Sequence, residues 1–550
     1  MQAVQKYELL LSKSPGDKAA RAAMESLQSL FRERSPAGGS TPPLAITEAA
    51  LAPLFPSLML HYAAHPAGSV SVRNVSAAAA GNLRARVMIP RFMDFPAEAP
   101  ALASLAPGAS ASFPLTLALN RTVLELQEDL VVQASIEITF AAGGSEQTVA
   151  RVLPVTIHRN TALTWDDTAK IASFVTPNEE VVNGFARRAL APPGEEKRFL
   201  LSPKLFQAMR VCDALAAHGI TYVEDPASPI SRALGRPALI DTVQPPRVTL
   251  LNRAGDCDDT TALLASLLEA IGVRTAILTT PGHILLAFDT GEPAESARYL
   301  SDQNLLVIGR AGSAWIPVET TTALQHGFLS AWAAGSQLVR AYQANGPFEF
   351  IPLAEARALY PALPLPPSTI AVAEPARSAV DGLYEASLAG FTASLYTAKL
   401  ASLETRLQGL SGTQAARLRV QQGILQAMFG RLAEAGLAFE TARKEDPGLV
   451  APYVNLANVL LVEKKGEAAL AVIGDGLARS SGSPLLNLAA ARCWAAKGDR
   501  RRAAEHLAKV RTSDPALADR YTLILGIDQG SPRAADEGDR PPALLWGGGE

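Results

Sequence analysis

The sequence predicts a multidomain α+β protein with a strand-rich first part, a mixed central part and a helical last part. At 550 residues, 48% of them apolar, the chain is too long for one ordinary hydrophobic core. Apolar and polar residues alternate between about 45 and 160, which is typical of strands. From about 379 to 525 the apolar residues recur at helical spacing, and both patterns occur from 161 to 350.

Composition and charge limit the classes of partner and cofactor that we expect for this protein. The net charge is −3, so no basic excess indicates nucleic acid as a partner. Cys212, Cys257 and Cys493 lie far apart without a C-x-x-C pair, which argues against a zinc ribbon and a disulfide framework. We therefore expect no cofactor and no metal.

The sequence also bears on membrane association and compartment. It has no run of eighteen apolar residues, so we expect no membrane span. The opening MQAVQKYELLLSKSPGD lacks the ordered regions of a signal peptide. As written, the chain is expected to be cytoplasmic; a periplasmic or membrane-anchored protein is the alternative if an N-terminal export segment is missing.

The part of the chain before the central region divides into three predicted segments. Residues 1–34 carry helical apolar spacing broken by SPGD, which predicts a helical hairpin, with a partial repeat as an alternative interpretation. Residues 35–44, rich in proline, glycine and serine, predict a linker. In 45–160 the alternating runs, with a turn at Gly143-Gly144, indicate half-buried strands, and several such strands suggest an immunoglobulin-like β-sandwich.

The helical part is built on a repeated sequence pattern. Small residues recur at Ala435, Ala469 and Ala503, and each is followed four positions later by a larger apolar one. This helix-turn-helix period of about 34 positions is similar to that of the tetratricopeptide repeat, which implies a protein partner on the repeats. We expect the array over 379–525, with at least three units starting near 416, 450 and 484.

Two segments flank this array. The proline-rich stretch YPALPLPPSTIAVAEP predicts a linker over 351–378. The last segment, 526–550, is expected to be disordered.

The stretch NRAGDCDDTTALLASLLEAIGV carries the first chemical signal. Leucines at helical spacing follow the motif, so Cys257 is predicted at or just before a helix N-terminus, where unpaired N–H groups favour a thiolate. Asp258, Asp259 and Thr260 are suited to capping that helix, with catalysis or calcium binding as alternatives. The aspartates would oppose a thiolate electrostatically, and a lone cysteine is most often a small buried apolar residue.

Two later segments strengthen the chemical interpretation. TAILTTPGHILLAFDTG predicts a strand, a Pro-Gly turn and a second strand headed by His283, and AWIPVETTT predicts a strand ending at Glu319. G-D-C-D-D before a helix, P-G-H at a strand and W-x-P-x-E-T-T together resemble the papain-fold transglutaminase-like domains of bacteria. The resemblance covers about 165–335, and we expect this papain-type α+β domain over 161–350.

The resemblance implies roles for individual residues. Cys257 would be the nucleophile, His283 the general base and acid, and Glu319 the residue that orients the imidazole. The family commonly has aspartate at the third position, so Asp302 is the alternative third member. The Cys257 N–H and the Gln244 side chain are candidate donors to an oxyanion.

The implied function is a cysteine hydrolase or acyltransferase that acts on peptide or isopeptide amides through a thioester. The implied substrate is therefore a protein or peptide. The alternative is a non-catalytic scaffold that binds proteins through its helical repeats. Metal binding by Cys257, His283 and the aspartates is disfavoured because their spacing matches no zinc pattern.

Overall fold

The computed structural model describes residues 42–190, 199–224, 239–346, 348–368, 371–525 and 546–547. It is a mixed α/β structure with several sheets and a C-terminal helical region. This confirms the predicted combination of strands and helices and the predicted helical last part. The predicted hairpin over 1–34 lies outside the described residues, as does nearly all of the predicted linker over 35–44.

The strands lie in the first part and in the centre of the chain. They are β1 (Leu44–Leu51), β2 (Gly68–Asn74), β3 (Ala80–Met88), β4 (Ala97–Glu98), β5 (Leu102–Leu105), β6 (Ser110–Leu115), β7 (Leu130–Ala142), β8 (Ser145–Ile157), β9 (Ala162–Thr164), β10 (Thr221–Tyr222), β11 (Ile240–Thr242), β12 (Ala254–Gly255), β13 (Thr275–Thr280), β14 (His283–Pro293), β15 (Ile308–Arg310), β16 (Ser313–Val318) and β17 (Glu349–Pro352).

Two sheets make up the first part. One has the order β1-β2-β6; the other has the order β4-β3-β7-β8, with β5 also paired to β3. Alternate side chains of β7, such as Ile136 and Ile138, are buried in an apolar core that also contains Val70 of the first sheet. The predicted turn between β7 and β8 is confirmed, because Gly143 and Gly144 take φ values of +60° and +83° that few other residues adopt.

The α-helices become more numerous toward the C-terminal part of the described chain. They are α1 (Met59–Ala64), α2 (Glu180–Ala189), α3 (Pro203–His218), α4 (Pro246–Asn252), α5 (Cys257–Ala270), α6 (Ala297–Leu300), α7 (Thr320–His326), α8 (Phe328–Asn345), α9 (Leu353–Leu359), α10 (Arg377–Phe391), α11 (Ala398–Leu407), α12 (Gly412–Met428), α13 (Leu432–Glu445), α14 (Ala451–Val462), α15 (Gly466–Arg479), α16 (Pro484–Ala496), α17 (Arg500–Arg511) and α18 (Pro515–Ile524).

A buried antiparallel sheet of order β15-β16-β14-β13-β17 forms the centre, and α5 packs on β14. The predicted domain boundary at 350 falls inside β17, which pairs with β13. The next residues are also held to the centre: α9 packs on this sheet, and the Leu363 N–H bonds the Ser173 carbonyl at 2.8 Å. The first half of the predicted 351–378 linker is therefore packed, because apolar side chains such as Leu363 anchor it.

The helical region consists of successive helix pairs, α12–α13, α14–α15 and α16–α17. Ala435, Ala469 and Ala503 are fully buried in the second helix of each pair. The residue one position beyond the C-cap of each first helix has a positive φ; it is glycine in the first and third pairs and Lys464, at +61°, in the second. The repeated pattern thus includes a shared turn geometry.

The helical region packs directly against the centre. The rings of Phe199, Phe391 and Phe429 contact one another at centroid distances of 5.3 to 6.3 Å. Arg210 of α3 forms an ion pair with Asp381 of α10. None of the described helices is both long enough and apolar enough to span a membrane.

Candidate active site

Cys257 is the first residue of α5, as its sequence context predicts. The helix is capped by Asp256, whose side chain accepts from the Asp259 N–H while the Asp259 carboxylate accepts from the Asp256 N–H. The Asp258 carboxylate also accepts from the Asp259 N–H, at 2.8 Å. The aspartates around the thiol are therefore integral to the start of the helix, which agrees with the capping interpretation.

His283 heads strand β14 through a tight hairpin. Thr280 pairs with His283 across a Pro281-Gly282 turn, and Gly282 has the positive φ of +71° that this turn requires. The neighbouring Ile284 N–H is close enough to the Cys257 sulfur to lower the pKa of the thiol. The start of β14 therefore lies against the thiol.

Glu319 reaches the imidazole from the end of β16. Its Oε2 lies 2.6 Å from His283 Nε2, while its Oε1 accepts from the N–H and hydroxyl of Thr321 at 3.2 and 2.7 Å. An ionised carboxylate only accepts hydrogen bonds, so His283 carries a hydrogen on Nε2. Nδ1, which has no hydrogen-bond partner among the residues of known placement, is left to exchange a proton.

A hydroxyl cluster joins the helix of the thiol to the segment of the acid. The Thr320 hydroxyl lies 3.0 Å from the Thr260 hydroxyl and 3.1 Å from the Thr261 hydroxyl. Thr260 also donates to the Cys257 carbonyl at 3.2 Å. These contacts are buried, so the positions of Cys257 and Glu319 depend on each other.

Close packing at two glycines also constrains the start of helix α5 and the end of strand β16. A Cβ at Gly255 would lie 2.8 Å from the Asp259 Cβ, and one at Gly335 would lie 2.8 Å from the Pro317 carbonyl oxygen and 3.0 Å from the Glu319 nitrogen. Only glycine allows α8 to approach the end of β16 this closely.

The environment of Cys257 disfavours a resting thiolate. Burial raises the pKa of this thiol, and the carboxylates of Asp258 and Asp256 raise it further, whereas the Ile284 N–H lowers it. A helix N-terminus stabilises an anion by about 0.3–1 kcal/mol, which is less than one pKa unit and does not offset these effects. The sequence-based expectation of a lowered pKa therefore fails, because burial outweighs the helix terminus.

Asp256 and Asp258 form a buried carboxyl pair. Burial raises the pKa of Asp258, and the hydrogen bond to the Asp256 side chain and the charge of Asp256 raise it further. The Oδ2 atoms of both residues are buried and have no partner outside the pair within the described ranges. Oxygens of Asp256, Asp258 and Asp259 lie within 4.8 Å of one another, so they could also coordinate a cation.

The remaining two candidates, Gln244 and Asp302, have hydrogen-bond partners other than the imidazole. Gln244 is near α5, but its side-chain amide donates to Asp259 Oδ2 at 2.6 Å. Asp302 accepts from the N–H groups of Asn304 and Leu305 and shapes its own loop. In the part of the chain that the structure describes, Glu319 rather than Asp302 contacts His283.

The sequence analysis missed an aromatic residue beside the thiol. Tyr222 of β10 pairs in parallel with Gly255 of β12, and its side chain is 44% exposed. Partial burial raises the pKa of Tyr222 to about 12, and the charge of the Cys257 thiolate contributes to this shift. Val223 and Leu251 are exposed apolar neighbours of the same strand pair. No local signal marks Tyr222, because it comes near the thiol only through pairing with a strand that is distant in the sequence.

Comparison with known proteins adds little to this geometry. No protein-family model and no curated protein sequence matches the chain. Among solved structures, the chain is similar to native α2-macroglobulin of Escherichia coli from domain MG7 to the C-terminus, at 11% identity over 88% of this chain and 64% of that one. Its TM-score of 0.19 does not indicate a shared fold.

Proposed function

We propose that the protein is a transglutaminase-like cysteine hydrolase or acyltransferase that acts on peptide or isopeptide amides. One arrangement carries this proposal: His283 bonds Glu319 through Nε2, while the adjacent Ile284 N–H is close enough to the Cys257 sulfur to lower the pKa of the thiol. A base held in one orientation beside a nucleophile is the basis of covalent acyl transfer.

The reaction proceeds in two halves. His283 Nδ1 removes the Cys257 proton as the sulfur attacks the amide carbon, and the imidazolium then protonates the leaving amine as the C–N bond breaks. This leaves a thioester on Cys257. Water or a second amine attacks the thioester, loses its proton to His283, and regenerates the thiol with release of an acid or a new amide.

The high thiol pKa fits a neutral resting pair. Because Asp256 and Asp258 oppose a free thiolate, the proton would leave Cys257 only when the sulfur attacks and its charge passes to the substrate oxygen. The Cys257 N–H is a donor for that oxygen, since the first N–H groups of a helix have no partner within it. Gln244 would contribute through its second amide hydrogen, since Asp259 already accepts the first.

The other parts of the chain fit a role in holding substrates. We propose that the first part is an immunoglobulin-like sandwich and that the helix pairs from α12 to α17 are tetratricopeptide-type repeats. The support is the shared apolar core of the two sheets and the regular spacing of the buried alanines. A protein partner would bind the repeats.

Trapping of the acyl-enzyme tests this proposal. The full chain is incubated with peptides, quenched in acid, digested and analysed for an acyl adduct on Cys257. An adduct is expected in the wild type and in His326→Ala, which alters an exposed histidine, but not in His283→Ala. Absence of any adduct over a broad peptide set, or an adduct that forms equally without His283, would overturn the proposal.

A second candidate is a scaffold without catalysis, and the raised pKa of Cys257 favours it. In that case Cys257 would be a buried residue at a helix cap, and the repeats would carry the function. The same adduct measurement separates the two, because a scaffold forms no thioester.

A further inference from the structure

The end of the chain lies on the helical region. Gly547 donates its N–H to Asn455 Oδ1 at 2.8 Å, and its carbonyl accepts from Asn455 Nδ2 at 3.0 Å. Both bonds are buried, and the neighbouring Trp546 packs against the main apolar core. The expectation of a disordered tail therefore does not hold for these two residues.

Asn455 binds the tail by its main chain. One side-chain amide bonds both polar groups of a single residue, so it recognises an extended backbone rather than a side chain. Asn455 is fully buried within the apolar helix α14, and Gly547 supplies its only side-chain hydrogen bonds in the described ranges. A buried amide without a partner is costly, so this position is built for a bound peptide backbone.

The chemistry of the tail matches this site. Its sequence changes from charged and small residues to the apolar PPALLW, followed by glycines. A Cβ at position 547 would meet Ala451 Cα at 3.4 Å, so the backbone lies directly on the first turn of α14. The bound segment is therefore a large aromatic residue followed by a small one.

We propose that the helical region has a groove over α14 for extended peptides with this aromatic-glycine pattern, and that the protein's own tail occupies it in cis. The segment between Leu525 and Trp546 could span up to about 70 Å when extended, which allows closure within one molecule. Tethering within one molecule gives an effective concentration on the order of millimolar, so a partner peptide must displace the tail. The proposal rests on the proposed partner-binding role of the repeats but not on the thiol chemistry.

A labelled peptide of residues 539–550 tests the proposal. Its binding is measured by fluorescence anisotropy to the full chain and to a chain ending at Leu525. We expect saturable binding to the shortened chain and at least about tenfold weaker binding to the full chain. Equal binding to both proteins, or no binding to the shortened one, would overturn cis occupancy.

Changes in the peptide test the contact without disturbing the protein's folding. N-methylglycine at position 547 removes only the donor to Asn455, and we expect affinity to fall about two- to tenfold. Trp546→Ala in the peptide should weaken binding more, because it removes the apolar contact. Unchanged affinity of the N-methylated peptide would contradict the proposed backbone recognition.

Variants of the protein complete the test. Asn455→Ala in the shortened chain should lose peptide binding. Asn487→Ala is the matched control, since this buried asparagine bonds Ser481, Ser483 and His506 within its own repeat. It should keep the affinity, and a loss as large as that of Asn455→Ala would contradict the assignment. If the full chain forms dimers that depend on the tail, the tail of one molecule occupies the groove of another, and the proposal of cis occupancy is overturned.

Acylation of Cys257 is measured in a separate experiment. The proposal about the tail and the proposal about catalysis can therefore each fail without the other.

Discussion

Glu319 holds His283 through Nε2 at 2.6 Å, while the N–H of the next residue of the same strand, Ile284, lowers the pKa of the Cys257 thiol. One strand end thus brings the acid, the imidazole and the thiol into one network. If the network is catalytic, each contact has a measurable consequence.

Replacing Glu319 by glutamine should disable the imidazole while keeping its shape. The glutamine amide can donate to Nε2, which favours the tautomer with hydrogen on Nδ1 and so blocks the atom that acts as the base in the proposed reaction. We expect the acylation rate of Cys257 to fall on the order of 10²- to 10⁴-fold. Asp302→Asn is the control, because the Asp302 carboxylate bonds the N–H groups of Asn304 and Leu305 rather than His283, and it should react within about twofold of wild type. An equal loss in both variants would contradict the assignment of Glu319.

Replacing Asp256 by asparagine should make the thiol more acidic. The Asp256 carboxylate raises the pKa of Cys257, so removal of its charge lowers that pKa, while asparagine remains a good helix cap. The alkylation rate of Cys257 should rise severalfold near pH 8, measured by iodoacetamide and peptide mass spectrometry. Asp499→Asn, at the cap of the remote helix α17, should leave the rate unchanged. A slower reaction in Asp256→Asn would show that this carboxylate does not oppose the thiolate.

Asp213 should make the protein less stable as pH rises. Burial raises the pKa of its carboxyl to about 6, above the unfolded value of about 3.9. Its stabilising contribution is thus complete below about pH 4 and is lost as pH rises through 6. Between pH 5 and 8 the wild type should lose about 1 kcal/mol more unfolding free energy than Asp213→Asn, measured by urea denaturation. An identical pH dependence in both proteins would contradict the raised pKa.

Lys464 lies at a position where the other two helix pairs have glycine. Its φ of +61° is unfavourable for a residue with a side chain, so Lys464→Gly should stabilise the helical region by about 0.5–1 kcal/mol. Gly430→Ala, at the equivalent turn with φ +74°, should destabilise it by about 1 kcal/mol or more. Thermal unfolding checks both signs. A destabilised Lys464→Gly variant would show that the lysine side chain makes a contact that outweighs the strain.

The features that sequence predicted best are local ones. The leucine spacing placed Cys257 at a helix start, Pro-Gly before His283 placed it at a hairpin, and the apolar strand ended at Glu319 as expected. Each of these signals is contained in one short stretch of the chain. The resemblance named Glu319 as the third member and Asp302 as the alternative. Contact with the imidazole could be read only from the structure, because the pairing of β14 with β16 is what brings Glu319 to His283.

The features that sequence reasoning missed depend on long-range packing. Burial of Cys257 reversed the expected direction of its pKa, and burial cannot be deduced from a helix cap alone. Asn455 and Gly547 are 92 residues apart, and an asparagine in an apolar helix gives no indication of its partner. Pairing of β17 with β13 likewise moved the end of the central part past residue 350.

The rate at which a peptidyl vinyl sulfone labels Cys257, measured across pH in the wild type, His283→Ala and His326→Ala, tests the central claim most directly. We predict that the wild type and His326→Ala label alike, that labelling increases steadily from neutral to alkaline pH without a neutral plateau, and that His283→Ala is slower by about 10²-fold or more near pH 7. Equal labelling in all three proteins, or a Cys257 that reacts only after unfolding, would contradict a catalytic cysteine–histidine pair.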